Sequence, residues 1–204
     1  IAKKNKPVLL ATGASNMEDV KRAYNRLKSI TDKIVLMQCN TNYTGDNKNF
    51  NYINLNVLNT FKKEFPDVIL GLSDHTSGHS TVLGALALGA TVFEKHFTDN
   101  NNREGPDHKF AMNPNSWEEM VKRSNELYLS MGNGVKIVEK NEKESIGVQR
   151  RSIRASSEIK SGEILTEDKL EFLRPIGKND LEPYRLNEIL GNKVRVDIQK
   201  GEKI

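Results

Sequence analysis

Four short apolar runs alternate with stretches of helical periodicity over the first 132 residues of the chain. Val35, Leu36 and Met37 form the uninterrupted centre of one run, which is typical of strands that are covered on both faces. Between the runs, apolar residues recur at helical spacing, as in Leu58, Phe61 and Phe65. This repetition predicts parallel strands joined by right-handed crossovers. The predicted strands are residues 7–11, 33–39, 68–72 and 91–96.

Capping signals suggest where two of the helices begin. Residues 15–18 and 116–119 both have the spacing of a capping box, in which two side chains bond to backbone N–H groups at a helix N-terminus. The last helix of this part should then place an apolar face inward and end at Gly132. The residues predicted on that face are Trp117, Met120, Val121, Ser124, Tyr128 and Met131.

Four strand–helix units fit either half of a (β/α)8 barrel or a small open sheet. Residues 1–6 resemble the last turn of a helix, and a predicted strand follows them at once. A complete domain rarely starts by ending a helix. The beginning of the chain therefore favours the half barrel.

The pattern changes after residue 132. Residues 133–147 are charged and rich in turns, which predicts a linker. Residues 148–204 then read as a small β-rich second domain, with short strands predicted at 151–155 and 171–175 and an alternating pattern at 194–198. We therefore divide the chain into residues 1–132, 133–147 and 148–204.

The composition argues against a nucleic-acid-binding protein and against a membrane-spanning one. The chain of 204 residues is 36% hydrophobic and 28% charged, with a net charge of +4 that is spread along its length. No basic block predicts a nucleic-acid partner, and no segment approaches the roughly 20 apolar residues of a membrane span. The single Cys39 allows no internal disulfide and is expected to be a buried packing thiol. We expect a cytoplasmic globular protein.

Candidate chemistry lies at the ends of the third and fourth predicted strands. Parallel neighbouring strands would place His75 and His96 side by side, where two imidazoles with open positions suit a divalent Lewis acid. Ser73 shares a face with His75 and is expected to offer its hydroxyl to a substrate. Glu94 shares a face with His96 and either orients a metal ligand or is a buried paired charge.

Two further residues are candidates outside these strands. Asp107 follows a rigid Gly-Pro turn above the strand ends, where it either binds a polyol or stabilises its loop. Arg174 precedes a proline in the second domain. It is either a solvated charge or, if that domain caps an active site, a group suited to a carboxylate or acyl ligand.

Three ordered motifs carry a resemblance to the sialic acid synthase family. They are residues 71–76 (Gly-Leu-Ser-Asp-His-Thr), 94–98 (Glu-Lys-His-Phe-Thr) and 105–109 (Gly-Pro-Asp-His-Lys), and the Arg174-Pro175 segment follows them. The resemblance implies condensation of phosphoenolpyruvate with an N-acylated mannose-type sugar to give a nonulosonic acid. It also implies a (β/α)8 barrel followed by a small β-clip domain of the SAF or antifreeze-like type, in a domain-swapped homodimer.

The same resemblance implies roles for individual residues. His75 and His96 match metal ligands, with manganese expected and magnesium or cobalt as alternatives. Ser73 matches a position near phosphoenolpyruvate, and the sugar-contacting positions are matched by Tyr43 and Asp107. Arg174 matches an arginine that contacts the sugar's acylamino group in the partner subunit's site.

Residues 38–44, at the end of the second predicted strand, depart from the family's usual motif. They read Gln-Cys-Asn-Thr-Asn-Tyr-Thr where the family usually has His-Cys-x-Asn/Ser-x-Tyr-Pro, so the matching asparagine is displaced. This variant resembles the legionaminic acid branch, whose substrate is a diacetamido-trideoxy sugar.

A second departure is an absence. Nothing in the chain matches the glutamate and the lysines with which the family's first four barrel strands bind phosphoenolpyruvate. We therefore expect this chain to correspond to the second barrel half plus most of the cap, and not to be a competent catalyst alone. Two alternatives stay open: a different metal-dependent barrel aldolase or sugar-phosphate lyase, and a non-catalytic carbohydrate-binding protein.

Overall fold

The computed structural model describes all 204 residues and divides into two compact units, Ile1–Gly134 and Val135–Ile204. The larger unit contains four strand–helix repeats. Its strands are β1 (Val8–Ala11), β2 (Ile34–Cys39), β3 (Ile69–Asp74) and β4 (Val92–Lys95). Its helices are α1 (Met17–Lys28), α2 (Val57–Glu64), α3 (Ser80–Ala87) and α4 (Pro114–Met131).

The four strands form one parallel sheet in the order β1-β2-β3-β4. Each strand pairs with the next strand along the chain, as in a (β/α)8 barrel. In the doubly wound open sheets the strand order instead reverses at a switch point. The sequential order confirms the predicted half barrel.

The helices pack on one face of this sheet. Leu36, Leu70 and Leu72 point to that face and pack with helix residues such as Leu58 and Phe61. Residues on the opposite face include Leu9, which is 54% exposed. Alternation along each strand therefore sends one set of side chains into the core and leaves the other set free to form a site.

Gly71 allows close packing between neighbouring strands. A β-carbon at this position would lie 2.8 Å from Cγ of Met37 and 2.9 Å from the backbone oxygen of Val92. Such contacts are too short for any side chain. The glycine that opens the first motif is thus required by the packing of β2, β3 and β4.

In the structure, both helix N-caps lie at residues other than those predicted. Helix α1 is capped by Asn16 with Asp19, not by residues 15–18. Helix α4 is capped by Asn113 with Ser116, and Pro114 occupies its first turn. Asparagine is as good an N-cap as serine, so the serine signals marked the correct region but the wrong residue.

The predicted inward face of α4 is only partly correct. Met120 is buried and Trp117 packs against the core. By contrast, Val121, Tyr128 and Met131 are 45%, 66% and 46% exposed.

None of the helices combines the length and the apolar composition that a membrane span requires.

The smaller unit contains little regular structure. Strands β5 (Ser152–Ala155) and β6 (Leu170–Leu173) pair antiparallel, and α5 (Lys143–Gln149) lies within and just beyond the charged segment that follows Gly132. Residues 194–198 form no strand: Val196 is 65% exposed, and Ile198 makes one isolated bridge to Ile159. Ala155, Ile159, Leu165 and Val194 form the buried core of this unit.

Candidate active site

Side chains from three strands meet at the C-terminal edge of the sheet. Cys39 is in register with Ser73, and Ser73 is in register with Glu94. His75 and His96 each lie two residues further along, so alternation returns them to the same face. The register thus produces the juxtaposition that the sequence predicts.

The two imidazoles are in direct contact. Nδ1 of His75 lies 2.9 Å from Nε2 of His96, and the ring centroids are 4.8 Å apart in an edge-on arrangement. Burial, followed by the neighbouring His96, lowers the pKa of His75. A lowered pKa favours the neutral imidazole, which is the form that binds metal ions.

The donor set suits an open metal site. The structure contains no group of three or more His, Cys, Asp or Glu side chains placed to hold a metal ion. His75 and His96 nevertheless present ring nitrogens toward each other at the mouth of the half barrel. An ion held by two imidazoles takes its other ligands from water or from substrate oxygens, as a Lewis acid requires.

Tyr43, Phe110 and Asp107 surround the histidines. The Tyr43 ring centroid lies 4.3 Å from that of His75 and 5.7 Å from that of His96, and Phe110 packs 5.3 Å from His96 on another side. Asp107 places Oδ2 3.4 Å from Nδ1 of His96. The structure therefore brings Tyr43 and Asp107 to the histidine pair.

Ser73 and Glu94, each two residues before one of the histidines, form a hydrogen bond. The Ser73 hydroxyl donates to Oε2 of Glu94 over 2.6 Å. The hydroxyl proton is therefore directed at the carboxylate, and the serine oxygen keeps its lone pairs for another donor. Glu94 is exposed and bonds to Ser73, so the prediction of a buried paired charge is wrong, and the bond to Ser73 is one that the sequence analysis did not predict.

Cys39 has a closer relation to the site than the sequence indicated. Its thiol is buried, as expected, but Sγ lies 3.7 Å from Nε2 of His75. Burial raises the pKa of the Cys39 thiol, which keeps it protonated. The signal that could have found this contact is the position of Cys39 at the last residue of a strand beside β3.

A buried ion pair supports the strand ends from the helix-packed face. Lys95 bonds to Oδ2 of Asp74, and the two side chains are 1% and 0% exposed. Thr76 and Thr81 donate their hydroxyls to the same carboxylate, and Lys95 also donates to the backbone oxygen of Thr76. Since Asp74 and Lys95 each precede a candidate ligand, this network fixes the spacing of His75 and His96.

A cavity of about 1150 Å³ opens beside this site, at the tips of β1 and β2. Cys39 and Tyr43 line it and also contact His75. None of the four histidines lines the cavity. Other residues that line it include Thr12, Gln38, Asn40, Asn54, Val57 and Phe61.

Arg174 belongs to the smaller unit. It is exposed, and its Nε donates to the backbone oxygen of Gln149 over 2.7 Å. No carboxylate pairs with its guanidinium, so the charge is free for a ligand. Its predicted contact with a sugar stays a prediction.

Family profiles match both parts of the chain. The profile of the NeuB family matches residues 1–136, and the profile of the SAF domain matches residues 150–204. The N,N'-diacetyllegionaminic acid synthase of Campylobacter jejuni is 36% identical over 207 residues, which cover all of this chain and 60% of that protein. Human N-acetylneuraminate-9-phosphate synthase is 28% identical, and the alignment covers all of this chain and 55% of the human protein.

Solved structures agree with this relationship. The spore coat polysaccharide biosynthesis protein SpsE of Bacillus subtilis superposes with a TM-score of 0.59 at 27% identity, over 98% of this chain and 60% of that protein. The N-acetylneuraminic acid synthetase of Leptospira borgpetersenii gives a TM-score of 0.63 at 25% identity, over 71% of this chain and 50% of that protein. The chain thus spans about 60% of the length of the first of these relatives. With four parallel strands in barrel order and both profiles matched, the chain belongs to the NeuB family and carries a SAF domain after its half barrel.

Proposed function

We propose that this chain supplies the metal-binding and sugar-binding half of a nonulosonic acid synthase. The reaction joins C3 of phosphoenolpyruvate to the aldehyde carbon of an open-chain N-acylated mannose-type sugar. Water supplies the oxygen at C2, and the bond between that carbon and the phosphate oxygen breaks to release phosphate. The observation that carries the proposal is the 2.9 Å approach of His75 to His96 at adjacent strand ends.

In this proposal His75 and His96 hold a divalent cation, with manganese as the expected ion and magnesium or cobalt as alternatives. When bound, the cation supplies Lewis acidity toward the sugar's carbonyl oxygen. The buried Asp74–Lys95 pair keeps the two strand ends in place and so holds the imidazoles close together. Binding of the ion by both facing nitrogens requires that the proton they share in their hydrogen bond moves to another ring nitrogen or to solvent.

Other side chains orient the substrates. In this proposal the Tyr43 ring, which packs against both imidazoles, forms one wall for the bound sugar. Asp107, 3.4 Å from Nδ1 of His96, accepts a hydrogen bond from a sugar hydroxyl. The hydroxyl of Ser73, directed by Glu94, faces the same mouth and is our candidate for the phosphoenolpyruvate side. The relatives named as synthases of legionaminic and neuraminic acids support this class of reaction.

Metal binding is tested on this chain directly. Titration with Mn²⁺, followed by the paramagnetic resonance signal of the free ion, should show one site that His75→Ala and His96→Ala each weaken at least about tenfold. His79→Ala is the matched control, because its ring makes no hydrogen bond or ion pair and does not contact the site. Retention of wild-type affinity in His75→Ala would remove the metal assignment.

Activity is tested on the longest natural chain that contains this sequence. Phosphate release from phosphoenolpyruvate should require both the N-acylated sugar and Mn²⁺, and should fall by at least about 100-fold in His75→Ala. Sugar binding without phosphate release in that longer chain would favour a carbohydrate-binding protein. Turnover of sugar without consumption of phosphoenolpyruvate would favour an aldolase or lyase.

In this proposal Arg174 of the smaller unit contacts the sugar's acylamino group in the site of the partner subunit of a homodimer. Loss of sugar affinity in Arg174→Ala, with Mn²⁺ binding unchanged, is the expected result for a residue that contacts the sugar. Light scattering of the longer chain tests the dimer, and a monomeric mass in an active preparation contradicts it.

A further inference from the structure

The histidine pair is the middle of a longer chain of polar side chains at the mouth of the half barrel. On one side, Oδ2 of Asp107 lies 3.4 Å from Nδ1 of His96. On the other side, Sγ of Cys39 lies 3.7 Å from Nε2 of His75. Each imidazole therefore turns one ring nitrogen to the other histidine and its second nitrogen to a different neighbour.

The chain continues from Cys39 across strand β3. Ser73 is in register with Cys39, and its side chain is a second hydrogen-bond partner of the thiol. The Ser73 hydroxyl in turn donates to Oε2 of Glu94 over 2.6 Å. The complete order of neighbours is Asp107, His96, His75, Cys39, Ser73 and Glu94.

The two carboxylates fix the protons at both ends of this chain. A carboxylate only accepts, so the N–H of a neutral His96 lies on Nδ1, toward Asp107. The hydroxyl proton of Ser73 is likewise directed at Glu94. Nε2 of His96 and the oxygen of Ser73 consequently face the inner contacts of the chain with lone pairs alone.

The inner part of the chain has one proton too few. Neutral His75 carries one N–H, and the thiol of Cys39 carries another proton, since burial raises its pKa. These two protons serve three contacts, which join His96 to His75, His75 to Cys39 and Cys39 to Ser73. One of the three contacts is therefore always without a proton.

The position of this missing proton decides whether the histidines can bind an ion. In the metal-free site the N–H of His75 lies on Nδ1, because two ring nitrogens 2.9 Å apart would otherwise oppose their lone pairs. The thiol then donates to Nε2 of His75, and the contact between Cys39 and Ser73 has no proton. Binding of an ion between the rings needs the opposite arrangement, in which both facing nitrogens present lone pairs.

We propose that Cys39 is a positioning residue that allows His75 to change tautomer when the site takes up its metal ion. One proton leaves Nδ1 of His75 to solvent and one is taken up at Nε2, so the ring stays neutral. Sγ of Cys39 accepts the new N–H, and the thiol turns its own proton to the oxygen of Ser73. This inference rests on the proposed function, because it takes the histidine pair to hold a divalent ion.

Cys39 acts through His75 and is not itself a ligand in this proposal. The structure has no group of three His, Cys, Asp or Glu side chains placed to hold a metal ion. Side chains that bond to the second nitrogen of a metal-binding histidine set its tautomer and the orientation of its ring. The thiol can do this because it both donates and accepts.

Mn²⁺ titration of this chain tests the positioning role. Cys39→Ala removes the acceptor of the Nε2 proton and should weaken Mn²⁺ binding by about 3- to 10-fold. Cys39→Ser keeps a group that donates and accepts, so it should bind Mn²⁺ more tightly than Cys39→Ala does.

Val35→Ala is the matched control for loss of packing. Val35 is 5% exposed and lies on the same face of β2 as Cys39, four residues earlier. Its truncation should lower the thermal stability, which is measured for every variant, and leave the Mn²⁺ affinity unchanged.

The nitrogen chemical shifts of the histidine rings report the tautomers directly. In the metal-free wild-type chain, at a pH where the rings are neutral, His75 and His96 should both carry their proton on Nδ1. Cys39→Ala removes the donor to Nε2 of His75 and should shift the signal of that nitrogen, whereas the signals of His96 keep their positions. With Zn²⁺, a diamagnetic ion that imidazole binds, the proton of His75 should appear on Nε2.

Each part of the inference can fail separately. An Nε2–H tautomer of His75 in the metal-free chain would contradict the order of protons, and wild-type Mn²⁺ affinity in Cys39→Ala would contradict the positioning role. Equal affinities of Cys39→Ser and Cys39→Ala would reduce that role to packing and overturn the inference. Failure of the proposed function is a different result, namely Mn²⁺ binding that His75→Ala leaves unchanged, whichever tautomers the metal-free histidines show.

Discussion

The larger and the smaller unit each bury an aspartate that is paired with a cation, but the two pairs are removed from water to different extents. In the larger unit, Asp74 and Lys95 are 0% and 1% exposed, and two threonine hydroxyls complete the shell of the carboxylate. In the smaller unit, the Asp180 side chain is 3% exposed, but its partner Arg154 is 20% exposed and reaches solvent.

This difference follows from the size of the two cores. The larger unit packs a parallel sheet against helices, and its core is deep enough to bury a charged group completely. A fully buried charge is stable only when an opposite charge and hydrogen bonds surround it. The smaller unit has a buried cluster of four residues and depends on turns, isolated bridges and bonds to backbone groups. Breaking a charge pair should therefore cost more in the larger unit, whereas removing one core side chain should matter more in the smaller.

The largest effect is expected at Lys95. Lys95→Met leaves the carboxylate of Asp74 buried without a counter-charge, which should lower the free energy of unfolding by about 3–5 kcal/mol. Urea unfolding followed by the fluorescence of Trp117, the only tryptophan and part of α4, reports on the larger unit. Arg154→Met, the comparison variant, should leave the Trp117 transition where it is.

A double variant shows whether charge or shape is responsible. Asp74→Asn combined with Lys95→Met removes both charges and should recover part of the lost stability. Equal destabilisation in the single and the double variant would mean that packing, not an unpaired charge, is what Lys95 provides.

The second prediction concerns the core of the smaller unit. Ile159 is one of the four residues of the buried cluster and is completely buried. Ile159→Ala should cost about 2–5 kcal/mol, a large fraction of what a core of this size supplies. Amide NMR signals of the smaller unit should collapse toward unfolded positions while the Trp117 transition is retained.

Val196→Ala is the matched control for this substitution. Val196 is 65% exposed, so its truncation should change stability by no more than about 0.5 kcal/mol. If Ile159→Ala also left the NMR signals of the smaller unit dispersed, the small cluster would not be what holds that unit together.

The two units also differ in how far their sequences predict them. In the larger unit, β/α periodicity and uninterrupted apolar runs specified the strand order, and parallel register then placed His75 beside His96. The smaller unit gave no such periodicity. Residues 194–198 alternate like a strand but form isolated contacts, because turns and neighbouring loops decide their conformation.

Side-chain contacts across strands were the hardest to predict. The roles of Cys39 beside His75 and of Glu94 beside Ser73 depend on strand register, which sequence spacing alone does not fix. The bond that the Gln38 side chain donates to the backbone oxygen of Ile53 also reaches a loop without regular periodicity. Residue types indicated the candidate site, and the register identified its partners.

The third prediction is a pH dependence at Asp180. The backbone N–H of Gly177 donates to its carboxylate and, with the nearby Arg154 and Lys203, lowers the pKa of Asp180. A folded-state pKa below the unfolded value of about 3.9 adds stability above that value, and the added stability is lost as the pH falls through the folded pKa. The smaller unit should therefore weaken below about pH 4.

Asp180→Asn removes this contribution and should cost about 1–3 kcal/mol at pH 7. The variant should also show a shallower loss of stability below about pH 4 than the wild type. Amide signals of the smaller unit, followed during acid titration, measure both. Parallel acid profiles for the variant and the wild type would assign the acid sensitivity to another group.

The smallest effect is expected at the N-cap of α4, where local structure is linked to the active-site loop. Oδ1 of Asn113 accepts from the N–H of Ser116, and its Nδ2 donates to Oδ1 of Asn101 over 2.8 Å. Asn113→Ala loses both bonds and should cost about 1 kcal/mol in the Trp117 transition. Asn113→Asp keeps the cap but loses the donor, so it separates the two contributions.

Asn101 holds the loop by donating to the backbone oxygens of His108 and Ala111, and this loop carries Asp107 to within 3.4 Å of His96. If the bond from Asn113 to Asn101 positions the loop, Asn113→Asp should leave the Trp117 transition unchanged but broaden the NMR signals of residues 99–112. Asn115→Ala, an exposed change in the same helical turn, should do neither. Sharp loop signals in Asn113→Asp would show that the loop is held by Asn101 alone, and that the α4 cap contributes to helix stability without reaching the site.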